Sequence, residues 1–237
     1  ATNNTKSSTV NITQRFPDSP FSLSATASVN QVSRDSTISA TLPNLSVNMS
    51  RIYPLKRKNA IGEERWYEKI TMSYSGEFRN SIHTKESEFF DANLIRDWDN
   101  GMRHNIPVSA TFSLMDYINI SPSFNYNERW YTSKVLKEWD PETNRHAPTD
   151  TVYGFNRVYD YNLSLSVNTK LYGMYKPLDM FGDKVQAIRH VFSPSISFSY
   201  RPDFGASRYN YYETYSYKNA QGEDVEHTYS PYDGMMF

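Results

Sequence analysis

Five histidines carry the most versatile side-chain chemistry in this sequence, since imidazole can ligate a metal or move a proton near neutral pH. His83, His104, His146, His190 and His227 are scattered, and no pair stands at a metal-ligand spacing. Each therefore reads as structural or surface. Asp97, Asp99 and Asn100 ahead of Gly101 resemble the opening of a calcium loop. The closing Glu of such a loop is missing, because its position falls at Val108. No Gly-x-Ser-x-Gly elbow, phosphate loop or dinucleotide fingerprint occurs. Cysteine is absent, which removes disulfides, thiolate metal sites and cysteine nucleophiles together. Barrel phospholipases and proteases need a Ser/His or Asp/His constellation, and the sequence gives that no local support. These residues point to neither catalysis, metal nor cofactor, so transport or binding is the expectation.

The elements that position side chains must then carry the function. Basic and acidic residues nearly cancel, 25 against 26, and no clustered basic face favours nucleic acid. The apolar fraction is 38% and the mean hydropathy −0.70, and no run approaches the roughly 20 apolar residues of a membrane helix. A barrel is still open, because its strands alternate lipid-facing and lumen-facing residues and average to a hydrophilic composition. Tyr, Phe and Trp make up 15% of the chain, with 19 Tyr. Tyr has an apolar ring and a polar tip, which suits a membrane–water boundary. A Tyr-rich soluble β-sandwich has the same composition.

Alternation decides further. Phe21, Leu23, Ala25, Ala27 and Val29 interleave with Ser22, Ser24, Thr26, Ser28 and Asn30. Period-two alternation of this length predicts a strand with one dry and one wet face. No charge falls between Asp18 and Arg34. After the polar turn Ser33 to Ser36, Ile38, Ala40 and Leu42 share one parity and Leu45, Val47 and Met49 the other. The phase change at Pro43-Asn44 predicts a bulge or break, because proline cannot donate to a ladder. Further strands are expected around Ile70 to Phe78, Ile106 to Leu114, Ile118 to about Trp139, Tyr161 to Leu171, and Phe192 to Tyr200. Leu163, Leu165 and Val167 form the apolar set of one, and Phe198 belongs to that of another. Asn-x-Ser/Thr triplets at Asn11, Asn44, Asn48, Asn119 and Asn162 follow from Asn and Ser alternating on a wet face, and carry no glycosylation signal.

Short connections are expected near 33–36, 115–117 and 176–187, and long ones near 54–68, 81–104, 140–150 and beyond 201. Sorted loops of that kind suit an outer-membrane barrel, with tight periplasmic turns and extended outer loops. Aromatics near strand ends, among them Phe16, Trp66, Trp130, Tyr159 and Tyr175, suit interfacial girdles. The fold class expected is all-β: an antiparallel transmembrane β-barrel of the outer membrane, present as a partial barrel of about eight strands. All of residues 1–237 belong to that one domain. Both ends read as cuts, so the lack of a signal peptide is silent about destination. The lipid-facing candidates are Phe21, Leu23, Val29, Leu163, Leu165, Val167 and Phe198.

The segment Leu178 to Phe204 resembles the lipopolysaccharide-assembly LptD family, in its Bacteroidetes-type forms. Arg189-His190, Pro194, Phe198-Ser199-Tyr200 and Pro202 carry the resemblance. The hairpin Phe21 to Met49 and the stretch Tyr161 to Tyr175 also look like family strands. What the resemblance implies is a large barrel preceded by a periplasmic lipid-carrying domain and filled by a plug lipoprotein of the LptE type. It also implies that lipopolysaccharide passes into the outer leaflet through a lateral opening, with periplasmic transport components as partners. The family motif residues in this chain are Arg189, His190, Pro194 and Tyr200. The chain departs from the family in having too few strands and no disulfide-forming cysteines. The competing readings are a porin or nutrient-uptake barrel and a soluble β-sandwich that binds glycans.

Overall fold

The computed structural model describes residues 4–59, 61–93, 96–115, 117–175, 188–219 and 221–237. Over these the chain is all-β and every strand pair is antiparallel. The strands are β1 (Thr5–Arg15), β2 (Phe21–Val32), β3 (Thr37–Ile52), β4 (Thr71–Lys85), β5 (Asp99–Ser109), β6 (Phe112–Leu114) and β7 (Ile118–Asp140). They continue as β8 (Arg145–Thr169), β9 (Leu171–Tyr175), β10 (Ile188–Phe192), β11 (Ser195–Tyr200), β12 (Glu213–Lys218) and β13 (Asp224–Tyr229). One sheet runs in the order β1-β2-β3-β4-β5-β7-β8-β11, with β6 beside β7; β9–β10 and β12–β13 form separate hairpins. The path does not close on itself among the described residues. It leaves the outer edges of β1 and β11 unpaired.

The sheet is long and thin. The chain exposes 17451 Å², whereas a folded monomer of this mass would expose roughly 11,000 Å². A small apolar cluster is buried: Ile38, Ala40, Ile82 and Trp98, with Val29, Leu42, Phe89 and Ala92 against it. Trp98 and Phe89 come from the β4–β5 connection, which folds back on the apolar side of β3 and β4.

Several expectations need correction. β1 is a strand that the alternation does not predict. As the edge strand of the sheet it carries Lys6, Gln14 and Arg15 and offers only Val10 and Ile12 to the apolar face, too little for a periodicity to register. Residues 81–104 are not mainly loop: β4 runs on to Lys85 and β5 begins at Asp99. The stretch 140–150 is not a long loop: a tight turn at 141–144 joins β7 and β8, which pair from Asp140↔Arg145 onward. Beyond Arg201 a strand pair does form, β12–β13. The connections do not sort by length. Antiparallel succession puts the short 33–36 turn at the same end of the sheet as the β4–β5 connection and the segment beyond 201. The long 53–70 connection shares the opposite end with the 16–20 and 110–117 turns. The short connection expected near 176–187 lies outside the described residues.

At the phase change the chain stays in the sheet. Register shifts between Thr26 and Ser28 on β2 and between Thr41 and Asn44 against β4 mark a bulge at Leu42–Pro43. Asn80 Nδ2 donates to the Leu42 carbonyl at 2.7 Å, satisfying a group that the bulge takes out of the ladder. The bulge is what returns Leu45, Val47 and Met49 to the same face as Ala40.

The β3–β4 connection is organised by one carboxylate. Glu68 is wholly buried. It accepts from Arg57 Nε at 2.8 Å and Nη2 at 2.9 Å, and from the Arg65 backbone N–H at 2.7 Å. The Arg57 guanidinium, then the Arg65 N–H, hold its carboxyl down at about 2.

Candidate functional site

Directly opposed residues of an antiparallel pair share a face, so the registers assign every side chain to one side of the sheet. One row runs Tyr200–Leu163–Phe124–Val108–Met72–Ile52 across β11, β8, β7, β5, β4 and β3. A neighbouring row runs Ile196–Val167–Ile120. At the other edge Ile12–Ala25–Leu45–Phe78–Met102 crosses β1 to β5. Apolar side chains from all eight strands of the path thus lie on one face.

That face is largely bare. Ile196 is 75% exposed, Phe198 61% and Leu163 46%. Among the described residues no second sheet covers it, as a sandwich would require; the remaining sheets are two-stranded. Phe21, Leu23 and Val29 stand on it opposite Met49, Val47 and Ala40. Leu163, Leu165 and Val167 stand opposite Phe124, Pro122 and Ile120, and Phe198 opposite Leu165. The structure therefore brings all these candidates to a common side.

β2 has 12 residues, about 40 Å of extended chain, or about 28 Å of height at the ~45° tilt usual in membrane barrels. That matches an apolar band of about 25 Å. β7 and β8, with 23 and 25 residues, overrun it.

Where the long strands leave the aliphatic zone, the same face turns aromatic and polar. Glu128 accepts from Trp130 Nε1 at 2.6 Å, from Arg157 Nη2 at 2.9 Å and from the Tyr126 hydroxyl. His104 packs at a tilt against Trp130, ring centres 4.4 Å apart, and bonds the Tyr74 hydroxyl at 2.8 Å. Amphipathic rings in this position, with the Tyr126 and Trp130 tips bonded to Glu128, have the composition of an interfacial girdle.

The opposite face is Ser, Thr, Asn and charge. Ser24–Ser46–Glu77–Arg103–Arg129 form one row, and Asn48–Ser75–Asn105–Asn127–Asp160 the next. Side-chain bonds tie the rows together. Ser24 and Ser46 hydroxyls lie 2.5 Å apart, and Asn105 Nδ2 donates to Asn125 at 2.9 Å and Asn127 at 2.7 Å. Asn127 Nδ2 donates in turn to Asp160 at 3.0 Å. Such a surface is stable only against water or polar solute.

The C-terminal stretch lies on this polar face. Tyr131 donates to the Phe237 carbonyl at 2.7 Å and stacks on Tyr232 at 5.0 Å. The β12–β13 hairpin docks on the overrunning part of β7–β8 through Trp139 on Tyr217 at 4.5 Å and His146 on His227 at 3.8 Å. Lys134 also pairs with Glu213 at 2.7 Å.

The family model described as LptD protein matches residues 1–237. The chain belongs to the LptD family. At family level this assigns lipopolysaccharide transport and assembly at the outer membrane. No curated protein and no solved structure matches the chain.

The LptD motif residues are spread over two sheets. Arg189 and His190 lie in β10, opposite Met174 and Gly173, and Arg189 sits 4.6 Å over the Tyr172 ring. Pro194 separates β10 from β11, and its carbonyl accepts from Thr169 N–H at 3.2 Å. Tyr200 ends β11 opposite Leu163. Pro194 thus sits between two strands and not inside one. Asp97, Asp99 and Asn100 do not converge: Asp97 accepts from the Asn93 N–H, while Asp99 and Asn100 point to opposite faces in β5.

The alternation from Ile70 to Phe78 already sets Glu77 in phase with Thr71, Ser73 and Ser75, and the structure keeps it on the polar face. The arginines of that face are what sequence reading missed, although Arg79 continues the same phase. Arg103 was hidden in the stretch read as irregular, and Arg129 in the length of β7 beyond any membrane requirement.

Proposed function

We propose that the chain is a wall section of one outer-membrane β-barrel, residues 1–237 within a single domain, that translocates lipopolysaccharide and inserts it into the outer leaflet. The observation that carries this reading is the uncovered apolar face continuous over eight strands, backed by an equally continuous polar face. In lipid the first face is satisfied by acyl chains and the second by a hydrated lumen. The free edges of β1 and β11 call for further strands, since unpaired backbone is costly in hydrocarbon.

Transport on this scheme needs no covalent step. Ser, Thr and Asn offer the sugar headgroup replacement hydrogen bonds along the lumen, and a lateral seam releases the acyl chains to the bilayer. Lipopolysaccharide, outer-membrane lipid, a plug lipoprotein of the LptE type and periplasmic transport components are the proposed partners.

The test uses the full-length protein in living cells. A photoreactive amino acid at Asn105 or Asn127, on the polar face, is expected to cross-link lipopolysaccharide, and one at Lys218, on the outer side of β12–β13, is not. Free passage of small solutes with no lipopolysaccharide adduct at either lumen position would establish a porin-like conduit instead.

A further inference from the structure

Three arginines crowd the polar face where β4, β5 and β7 run side by side. Arg103 lies directly opposite Arg129, and Arg79 is one row away. Like charges directly opposite each other destabilise a sheet, and here two carboxylates offset them only in part. Glu77 is shared, at 2.5 Å from Arg79 Nη2 and 2.6 Å from Arg103 Nη2. Arg129 reaches Asp160 at 3.3 Å, and Arg201 approaches that same carboxylate at 3.9 Å. Each guanidinium has five N–H donors in a rigid fork, more than these contacts use. The Phe237 ring lies 5.2 Å from the Arg79 guanidinium and 4.8 Å from that of Arg103, flanking both. Arg103, Arg129, Glu77 and Phe237 border a cleft of about 690 Å³ whose other lining is Ser and Asn together with Gly76, His104 and Glu128.

We infer that this arginine cleft binds a phosphoryl group, with the Asn and Ser rows beside it taking the hydroxyls of an attached sugar. Excess guanidinium fork donors match the tetrahedral, multiply charged oxygens of a phosphate better than any neutral sugar. The inference rests on the lumen reading of the polar face and gives that face a chemical preference: phosphorylated over unphosphorylated saccharide lipid.

The experiment compares binding of diphosphoryl lipid A and its dephosphorylated form to the full-length protein in detergent, with inorganic phosphate as competitor. The phosphorylated form is expected to bind at least ten-fold more tightly, with the preference shrinking as salt rises. Arg103→Gln with Arg129→Gln should bring the ratio close to one, and Arg103→Lys should restore part of it. Heat-modifiable gel migration reports whether each variant is folded, and the wild-type ratio tests the idea without any variant. Equal binding of the two forms by wild type overturns it, as does a ratio that folded double variant leaves unchanged. Displacement by millimolar inorganic phosphate with no preference between the lipids overturns the lipid headgroup as the source of that phosphate. If the wild type inserts in membranes yet shows no preference, this inference fails while the barrel reading stands; failure to insert removes the barrel reading first.

Discussion

Moving one positive charge by a single residue along β8 should change its energetic cost from large to negligible. Leu163 is 46% exposed on the apolar face, between Phe124 and Tyr200. It stands about six residues before the end of β8, so about 14 Å up from it at a ~45° tilt, close to the middle of a band about 25 Å tall. Arginine at the midplane of a barrel's lipid face costs about 2–4 kcal/mol, a loss of roughly 30- to 900-fold in the folding constant. Ser164 points the other way, between Ser123 and Ser199, and arginine there faces water, at a cost within about 0.5 kcal/mol. The assay is equilibrium unfolding of the full-length protein in phospholipid vesicles, comparing Leu163→Arg with Ser164→Arg. Equal costs, or a greater cost for Ser164→Arg, would refute the assignment of faces.

Three more expectations follow from particular contacts. Trp98 is 8% exposed over Ile38, Ala40 and Ile82, so Trp98→Ala should cost about 3–5 kcal/mol in the same assay; a change under 1 kcal/mol would mean that the β4–β5 connection does not pack there. Glu68→Gln should open the 53–70 connection to protease in the folded protein, because Arg57 and Arg65 lose their shared carboxylate. The Glu68 carboxyl is depressed to about 2, so its contribution is complete above the ordinary carboxylate range and is lost as pH falls from there toward 2; protection that disappears between pH 7 and 5 contradicts this. Tyr232→Ala should speed amide hydrogen exchange over 230–237 by about two- to ten-fold, the worth of one aromatic stack, and an unchanged rate would detach that stretch from Tyr131.

Legibility in the sequence followed the chemistry of the exposed faces. The β2–β3 hairpin was plain because Phe21 to Val29 alternate aliphatic with small polar residues and no charge intervenes. The bulge was legible because Pro43 reverses the phase of one face. β1 was not, since an edge strand can be satisfied with two aliphatic residues and lysine at its end. The far half of β4 and the start of β5 were obscured because their polar-face residues include His83, Asp99 and Arg103, which look like loop composition until the register shows them facing water. β12–β13 escaped notice because its inward side is Tyr215, Tyr217, His227 and Tyr229, an aromatic stack that apolar periodicity does not detect. Loop lengths misled, because consecutive connections lie at opposite ends of an antiparallel sheet, so the two long connections that flank β4 cannot share an end. The arginine cleft lay beyond reach: Arg79, Arg103 and Arg129 are far apart in the chain, and only the cross-strand pairing sets them together.

The most direct measurement exploits the absence of cysteine from residues 1–237. Single cysteines placed in turn from Ser22 to Asn30 in the full-length protein in vesicles carry a nitroxide, and its relaxation is measured with dissolved oxygen and with a water-soluble nickel chelate. Oxygen contact is expected to peak at 23, 25, 27 and 29 and nickel contact at 22, 24, 26 and 28. Nickel contact equal at both parities would put the Leu23 face in water and contradict a lipid-facing wall.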